Sequence, residues 1–560
     1  MRPYLLVMLV LLVLVAGIIL FFRNDPDGSA RAPRAGVTTA DGLVRHACKL
    51  DRKQLLRVWR GQAGDRSPEV VVVPKEPNYF GSFSVPNHSG PAQFLQEVPL
   101  VLYGPGRIAA RGLVTDRHAS ITDVYPTVGE LTNVELPQRD GEVLEEALVD
   151  GTVGTPRLVL TIVWDGVGRN VLRRWPDAWP TLKSLERNGT SFENATVGSS
   201  PSITPATHAS LGTGSFPRTH GVPAIFYRNE EGKVAGALAG MDPSMLEVTT
   251  FADEIDKALG NEPLVGMLGW FPWHIPMMGH GKGTPGGDAD QMVLIHDPGV
   301  VATNEDFYSV PPYEEGFPGF EEHARRVDRS DGLLDDKWMG NELYAPEPGG
   351  DLKKDNPAWV GYQTDMLLTT LRREGYGSND GSPDLFFVNF KIADVVGHRY
   401  IMDSPEMEQV LRAQDSALAR IIAQLNSTVE DYVVILTADH GHTPSPERTG
   451  AWPLSADEVA ADVDAHFQVP EGENLVIGSR TAGLYLNRPL ASELDVEAED
   501  VAAFLVDYSI QDNWTHGSLP KGYESRGAEP VLSASFARSQ LPDIMECAYG
   551  SRRPPPTADD

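Results

Sequence analysis

Leu158-Val159-Leu160-Thr161-Ile162-Val163-Trp164 is an apolar run that breaks at Asp165-Gly166, and further on the chain reads Ser202-Ile203-Thr204-Pro205-Ala206-Thr207-His208-Ala209-Ser210-Leu211-Gly212-Thr213-Gly214. A run of this length and composition predicts a buried strand, and one that delivers a carboxylate at its C-terminal end is a common site geometry in α/β folds. Thr-Pro predicts the start of a helix, with Thr204 at the N-cap and Pro205 as the first helical residue. A hydroxyl there sits where backbone N–H groups and the helix dipole favour an anion. Taken alone, Thr-Pro is only a cap.

Two later apolar runs end in the same way. Asp384-Leu385-Phe386-Phe387-Val388-Asn389-Phe390 leads to Asp394 and then His398, and Tyr432-Val433-Val434-Ile435-Leu436-Thr437 leads to Asp439-His440-Gly441. Strands that all finish in Asp, or Asp with His, can bring oxygen and imidazole donors to one edge of a sheet. A mixed set of this kind suits zinc with a position left open for water or substrate. The repetition of the pattern carries this reading, because a lone Asp-His pair is an ordinary surface feature.

Asp165-Gly, Thr204-Pro-Ala-Thr-His-Ala-Ser, Asp394-x-x-x-His398 and Thr437-Ala-Asp439-His440-Gly resemble the alkaline phosphatase superfamily, and within it the type I phosphodiesterase/nucleotide pyrophosphatase branch. The resemblance implies a three-layer α/β/α sandwich with a mostly parallel central sheet and two zinc ions, or another divalent metal. Asp165, Asp439 and His440 would hold one ion with Thr204 as nucleophile on it. Asp394, His398 and one more histidine would hold the second. Val98-Pro99-Leu100-Val101-Leu102-Tyr103-Gly104-Pro105-Gly106 and Asp123-Val124-Tyr125-Pro126-Thr127 are similar to the segment that closes the domain in these enzymes, where it follows the last zinc histidine. Here that segment comes first, so the resemblance implies a circular permutation and makes His88 the missing ligand. His516, in Thr515-His516-Gly517-Ser518-Leu519, is the rival, although no such strand follows it. The implied chemistry is hydrolysis of a phosphodiester, phosphomonoester or nucleotide pyrophosphate through a phospho-threonine. The alternatives are phosphoryl-group transfer to lipid or glycan, and a non-catalytic binding protein with a retained site. Pro217-Arg218-Thr219-His220-Gly221-Val222 resembles a turn of the family, but the phosphate-holding Asn expected close behind it is absent, and the nearest amide is Asn229.

The rest of the chain bounds these readings. Its 560 residues allow one large domain with insertions or two domains, and 22% charged with 41% hydrophobic residues is a globular mixture. The formal charge of −31 argues against nucleic-acid backbones as the main partner, which require a basic footprint. It leaves a small phosphate ester open, because bound metal ions would dominate the local field. The oligomeric state is not legible. Tyr4 to Phe22 is an uncharged apolar run long enough to span a bilayer, which predicts a transmembrane anchor over 1–23, a linker over 24–45 and a single-pass, membrane-anchored protein. Arg2 before the run and Arg23, Arg31 and Arg34 after it do not favour export of the bulk, and it is the family resemblance that implies a catalytic domain outside the cytoplasm. The permuted segment follows over 46–150, the main catalytic part over 151–545 with insertions around 215–380, and a disordered tail over 546–560. Cys48 and Cys547 either pair as a disulfide or stand as two buried thiols. His280 to Gly287 is Gly-rich without P-loop spacing and predicts a mobile loop, Glu314 to Gly350 predicts a surface insertion, and Ser404-Pro405-Glu406 starts a scaffold helix through about Asn426. His442 is expected in a supporting or idle role.

Overall fold

The apolar run forms a strand over Leu158–Trp164, every residue of it buried. In this computed structural model, which describes residues 39–149, 154–347, 350–429, 431–480 and 483–554, it lies at the middle of a nine-stranded sheet. From one edge the strands are Val300–Ala302, Gln291–Asp297, Val265–Gly269, Asp384–Phe390, Leu158–Trp164, Tyr432–Thr437, Leu100–Tyr103, Thr190–Thr196 and Gly112–Ser120. The five from Gln291–Asp297 to Tyr432–Thr437 are parallel neighbours. Leu100–Tyr103 runs antiparallel to both of its neighbours, and Val300–Ala302 is antiparallel to its one.

Period-two alternation divides the central strand between two cores. Leu158, Leu160, Ile162 and Trp164 pack on one face, and Val159 and Val163 on the other. The first face is covered by the helices Pro357–Glu374 and Pro405–Thr428, the second by Val124–Thr132, Thr204–Thr213 and Phe251–Ala258. The three-layer α/β/α sandwich is therefore present. Ser404 caps the scaffold helix by accepting from Met407 N, and Val410, Leu411, Leu418, Ile421 and Leu425 are its buried face.

A second, four-stranded antiparallel sheet has the order Val476–Arg480, Gly483–Leu486, Val70–Pro74, Leu532–Ala537. The segment 46–150 is thus shared between the two sheets, Val70–Pro74 in the smaller and Leu100–Tyr103 in the larger. Cys48 and Cys547 form a disulfide across a sequence separation of 499, tying the helix Ala40–Ala47 to the helix Leu541–Tyr549.

Several expectations are corrected. Among the described residues no helix is long and apolar enough to cross a membrane, so the membrane anchor, and the membrane partner and location drawn from it, have no support here. The run Tyr4–Phe22 on which they rested lies outside the described residues, as do residues 555–560 of the tail. The Thr204 helix begins one residue earlier than expected: Ile203 is the N-cap and Thr204 is itself helical. The Gly-rich stretch is tied down, because Asp253 accepts from His280 N and Thr284 Oγ1. The 314–350 insertion is anchored by Phe320 and Trp338, both buried in the larger core.

Candidate metal centre and active site

Each of the three strand ends is followed by an acid. Asp165 follows Leu158–Trp164, Asp394 lies in the helix Ile392–Tyr400 that follows Asp384–Phe390, and Asp439-His440 follows Tyr432–Thr437. All four side chains are buried, Asp165 and His440 at 0% exposure. The Asp165-Gly166 turn needs its glycine twice over: φ is +73°, and a Cβ would lie 2.9 Å from His442 Cδ2. The turn also turns Gly166 N–H onto Asp439 Oδ1 at 3.0 Å.

His88, Asp394, His398 and His442 bring one donor atom each within 4.8 Å of one another. Asp394 Oδ1 faces His88 Nε2 and His442 Nε2 at 3.1 Å each, and His398 Nε2 at 3.5 Å. His398 Nδ1 donates to Pro86 O at 2.8 Å, which leaves the Nε2 lone pair pointing inward. Gly397 makes room for this packing, since a Cβ there would lie 2.4 Å from His442 Nε2. Asp165, Asp394 and His440 form an adjoining group. His440 Nδ1 donates to Gly441 O at 3.1 Å, so Nε2 again faces inward, 3.3 Å from Asp439 Oδ2 and 3.7 Å from Asp165 Oδ1.

Burial drives the imidazoles toward their neutral, ligating form: His398 is lowered to about 4, and His88 and His440 are lowered as well. Burial, then the neighbouring Asp165, raises Asp439. Burial pushes Asp394 up, but Lys391 and the surrounding histidines outweigh it and hold that carboxyl well below the ordinary range.

A divalent metal fits this set. Three imidazoles, those of His88, His398 and His442, converge on one Asp394 carboxylate oxygen, an arrangement that a cation between them would satisfy. Four buried polar atoms of the cluster, His88 Nδ1, Asp439 Oδ2, His440 Nε2 and His442 Nδ1, have no hydrogen-bond partner. Asp165 also meets His208 and His274; the His208 ring is already committed, whereas His274 Nε2 is buried without a hydrogen-bond partner. His208 Nδ1 donates to Thr204 O and its Nε2 accepts from Asn389 Nδ2, each at 2.8 Å. His274 Nδ1 accepts from Trp270 N at 3.1 Å, so its Nε2 carries the proton and faces Asp165 Oδ2 at 3.7 Å as a donor.

Thr204 is 2% exposed and lies in the first turn of its helix, with no side chain capping that helix. Its hydroxyl meets Lys391 Nζ at 3.2 Å. The same ammonium reaches Asp165 Oδ1 at 2.9 Å and Asp394 Oδ2 at 2.8 Å. Burial opposes its charge, but the two carboxylates raise its pKa.

A family model described as type I phosphodiesterase / nucleotide pyrophosphatase matches residues 159–535, more than half of the chain. The chain belongs to this family. Alkaline phosphatase PhoD of Zymomonas mobilis is 30% identical over 223 residues, which cover 38% of this chain and 34% of PhoD. Alkaline phosphatase PhoV of Synechococcus elongatus is 22% identical over 363 residues, 55% of this chain and 63% of PhoV. The chain therefore spans less than two thirds of either relative. A crystal structure of a substituted alkaline phosphatase PafA superposes with a TM-score of 0.50 at 18% identity, covering 69% of this chain and 86% of that one, and speaks to the fold. The His/Asp clusters are candidate sites for divalent metal ions.

The family match begins after His88, yet His88 stands in the cluster, stacked on His440 with ring centroids 3.4 Å apart. His516 does not: it is exposed, against Trp514. Asn229 is also elsewhere, its Oδ1 accepting from Lys233 N in a surface hairpin. His442, expected in a supporting or idle role, is fully buried in the first group. Lys391 and Asn389 were not anticipated. Their signal was present as polar residues at the end of an otherwise apolar run, Asn389-Phe390-Lys391.

Proposed function

We propose that this chain hydrolyses small phosphate esters, with Thr204 as nucleophile beside a two-metal centre and zinc as the ion the donor set suits. The observation that carries this reading is the convergence of His88, Asp394, His398 and His442 with Asp165, Asp439 and His440 next to the Thr204 hydroxyl. His88, Asp394 and His398, with His442 added to the set first expected, would hold one ion. Asp165, Asp439 and His440 would hold the other. When bound, the metals supply Lewis acidity that lowers the pKa of the hydroxyl and offsets charge on the phosphoryl oxygens.

The chain's own residues supply the rest. Lys391 Nζ, hydrogen-bonded to Thr204 Oγ1, orients that oxygen and favours its deprotonated form. The uncapped first-turn N–H groups of the Thr204 helix face the same space and can receive phosphoryl oxygens. Thr204 Oγ bonds to phosphorus as the ester oxygen leaves, and water then attacks phosphorus, releasing phosphate or a monoester and restoring the hydroxyl. Asn389 holds Asp165 Oδ2 at 2.9 Å and so sets that carboxylate's orientation. Residues 46–150 are read as the closing segment of the family fold placed ahead of the nucleophile half.

The test combines metal analysis with turnover of bis(p-nitrophenyl) phosphate and p-nitrophenyl phosphate. Two equivalents of metal are expected, with turnover of at least one ester and a loss of about 10³-fold or more in Thr204→Ala. Acid quenching should trap phosphate on Thr204. A protein that binds no metal and turns over neither ester overturns the reading. Two bound metals without turnover would move it to a transferase lacking its acceptor, or to a retained binding site.

A further inference from the structure

On the opposite edge of the main sheet, roughly 20 Å from the strand ends by the length of a strand, lies a second group of carboxylates. Asp256 comes from the helix Phe251–Ala258, and Asp288 and Asp290 from the loop that runs into the strand Gln291–Asp297. Their oxygens come within 4.8 Å of one another. Asp256 and Asp290 are 4% and 7% exposed, while Asp288 is on the surface. Asp256 Oδ1 is buried without any hydrogen-bond partner.

The charges that act on these groups, after burial itself, are all carboxylates: Asp288 and Asp253 on Asp256, and Asp256, Asp253 and Asp288 on Asp290. Asp253 adds to the repulsion, and its own oxygens are taken up by Thr250, His280 and Thr284. Burying carboxylates together without a counter-ion costs several kcal/mol per charge. No imidazole or thiolate belongs to the group, so the donor set is hard oxygen only. That chemistry suits calcium or magnesium and disfavours zinc. Two of the three ligands, Asp288 and Asp290, lie on a loop containing Gly286 at φ +85° and Gly287. Calcium accepts irregular oxygen cages completed by water, whereas magnesium demands a near-ideal octahedron.

We propose that Asp256, Asp288 and Asp290 form a calcium-binding site that fastens the Gly-rich loop to the helix Phe251–Ala258. Its role is structural, and it is independent of the phosphoesterase reading.

The test is calorimetric titration of the whole chain with calcium chloride after saturation with zinc, with thermal unfolding followed in parallel. One equivalent of calcium and a calcium-dependent rise in Tm are expected. Asp288→Ala, a surface change that leaves the fold intact, should weaken binding at least about 10-fold and abolish the Tm rise. Asp256→Asn should do the same, and bound terbium should be displaced by calcium in the unsubstituted chain only. No calcium uptake by the unsubstituted protein overturns the proposal. So does calcium binding that survives in Asp288→Ala, which would place the ion elsewhere, or tighter binding of magnesium than of calcium.

Discussion

Two groups of buried acids sit at opposite edges of one sheet, and they are neutralised differently. At the strand ends Asp165, Asp394 and Asp439 are met by six imidazoles and by the Lys391 ammonium. At the other edge Asp256 and Asp290 meet only further carboxylates. Burial alone would push all of these groups toward protonation. What each edge recruits instead follows from its donors, nitrogen with oxygen on one side and oxygen alone on the other. The same sheet can therefore carry two cation chemistries without confusing them. Glu314 shows a third solution. It is fully buried, accepts from Thr370 Oγ1, and has neither metal ligands nor an ion pair around it, so burial raises its pKa to about 7.

The sharpest way to break this contrast is to remove one nitrogen donor. His88→Ala should lose one of two bound zinc equivalents and most turnover, whereas His516→Ala keeps both. The reverse result in metal analysis would mean that the imidazole cluster is not what holds the ion.

Lys391→Met tests the ammonium. Removing one partner from a buried charge group costs about 3–5 kcal/mol, so the metal-free protein should lose about that much stability in denaturant titration. The zinc-loaded protein should lose less, because the metals take over compensation of Asp165 and Asp394. Equal losses in both forms would show that Lys391 is simple scaffold.

The smallest effect belongs to Glu314. Between an unfolded pKa of 4.5 and a folded value of about 7, the native state holds a proton that the unfolded chain releases. Stability contributed by this group is thus present at low pH and falls as pH rises through that window. The neighbouring Glu374 adds to the shift and Arg373 opposes it. Glu314→Gln should match the unsubstituted protein near pH 4 and be more stable by roughly 2–3 kcal/mol at pH 8. A difference independent of pH would mean that Glu314 does not titrate in that window.

Much of this was legible in the sequence because it is local. The strands Leu158–Trp164 and Tyr432–Thr437 coincide with their apolar runs, and Asp384–Phe390 starts one residue ahead of its own, at Asp384. Each acid follows its strand at once or within a turn. His88 was reached by motif resemblance alone, since nothing in its own neighbourhood marks it as a ligand. What escaped depended on distant partners. A lysine after a strand looks like a boundary charge until Asp165, Asp394 and Thr204 surround it. Asp288-Ala289-Asp290 looks like a polar loop until Asp256 arrives from another helix. The start of the Thr204 helix was misplaced by one residue because Thr-Pro fits the cap equally well, and only the position of Ile203 decides between the two.

The strand Val70–Pro74 has Gly483–Leu486 on one side and Leu532–Ala537 on the other. A ribosome making some 5–20 residues per second needs roughly half a minute or more to reach the second of these partners. For that whole interval Val70-Val71-Val72-Val73 is a fully apolar β-former with no ladder to join, the type of segment that pairs with another nascent chain. Shielding of that stretch during synthesis is therefore expected to matter for yield: lower growth temperature or a holdase should raise the soluble fraction of this chain.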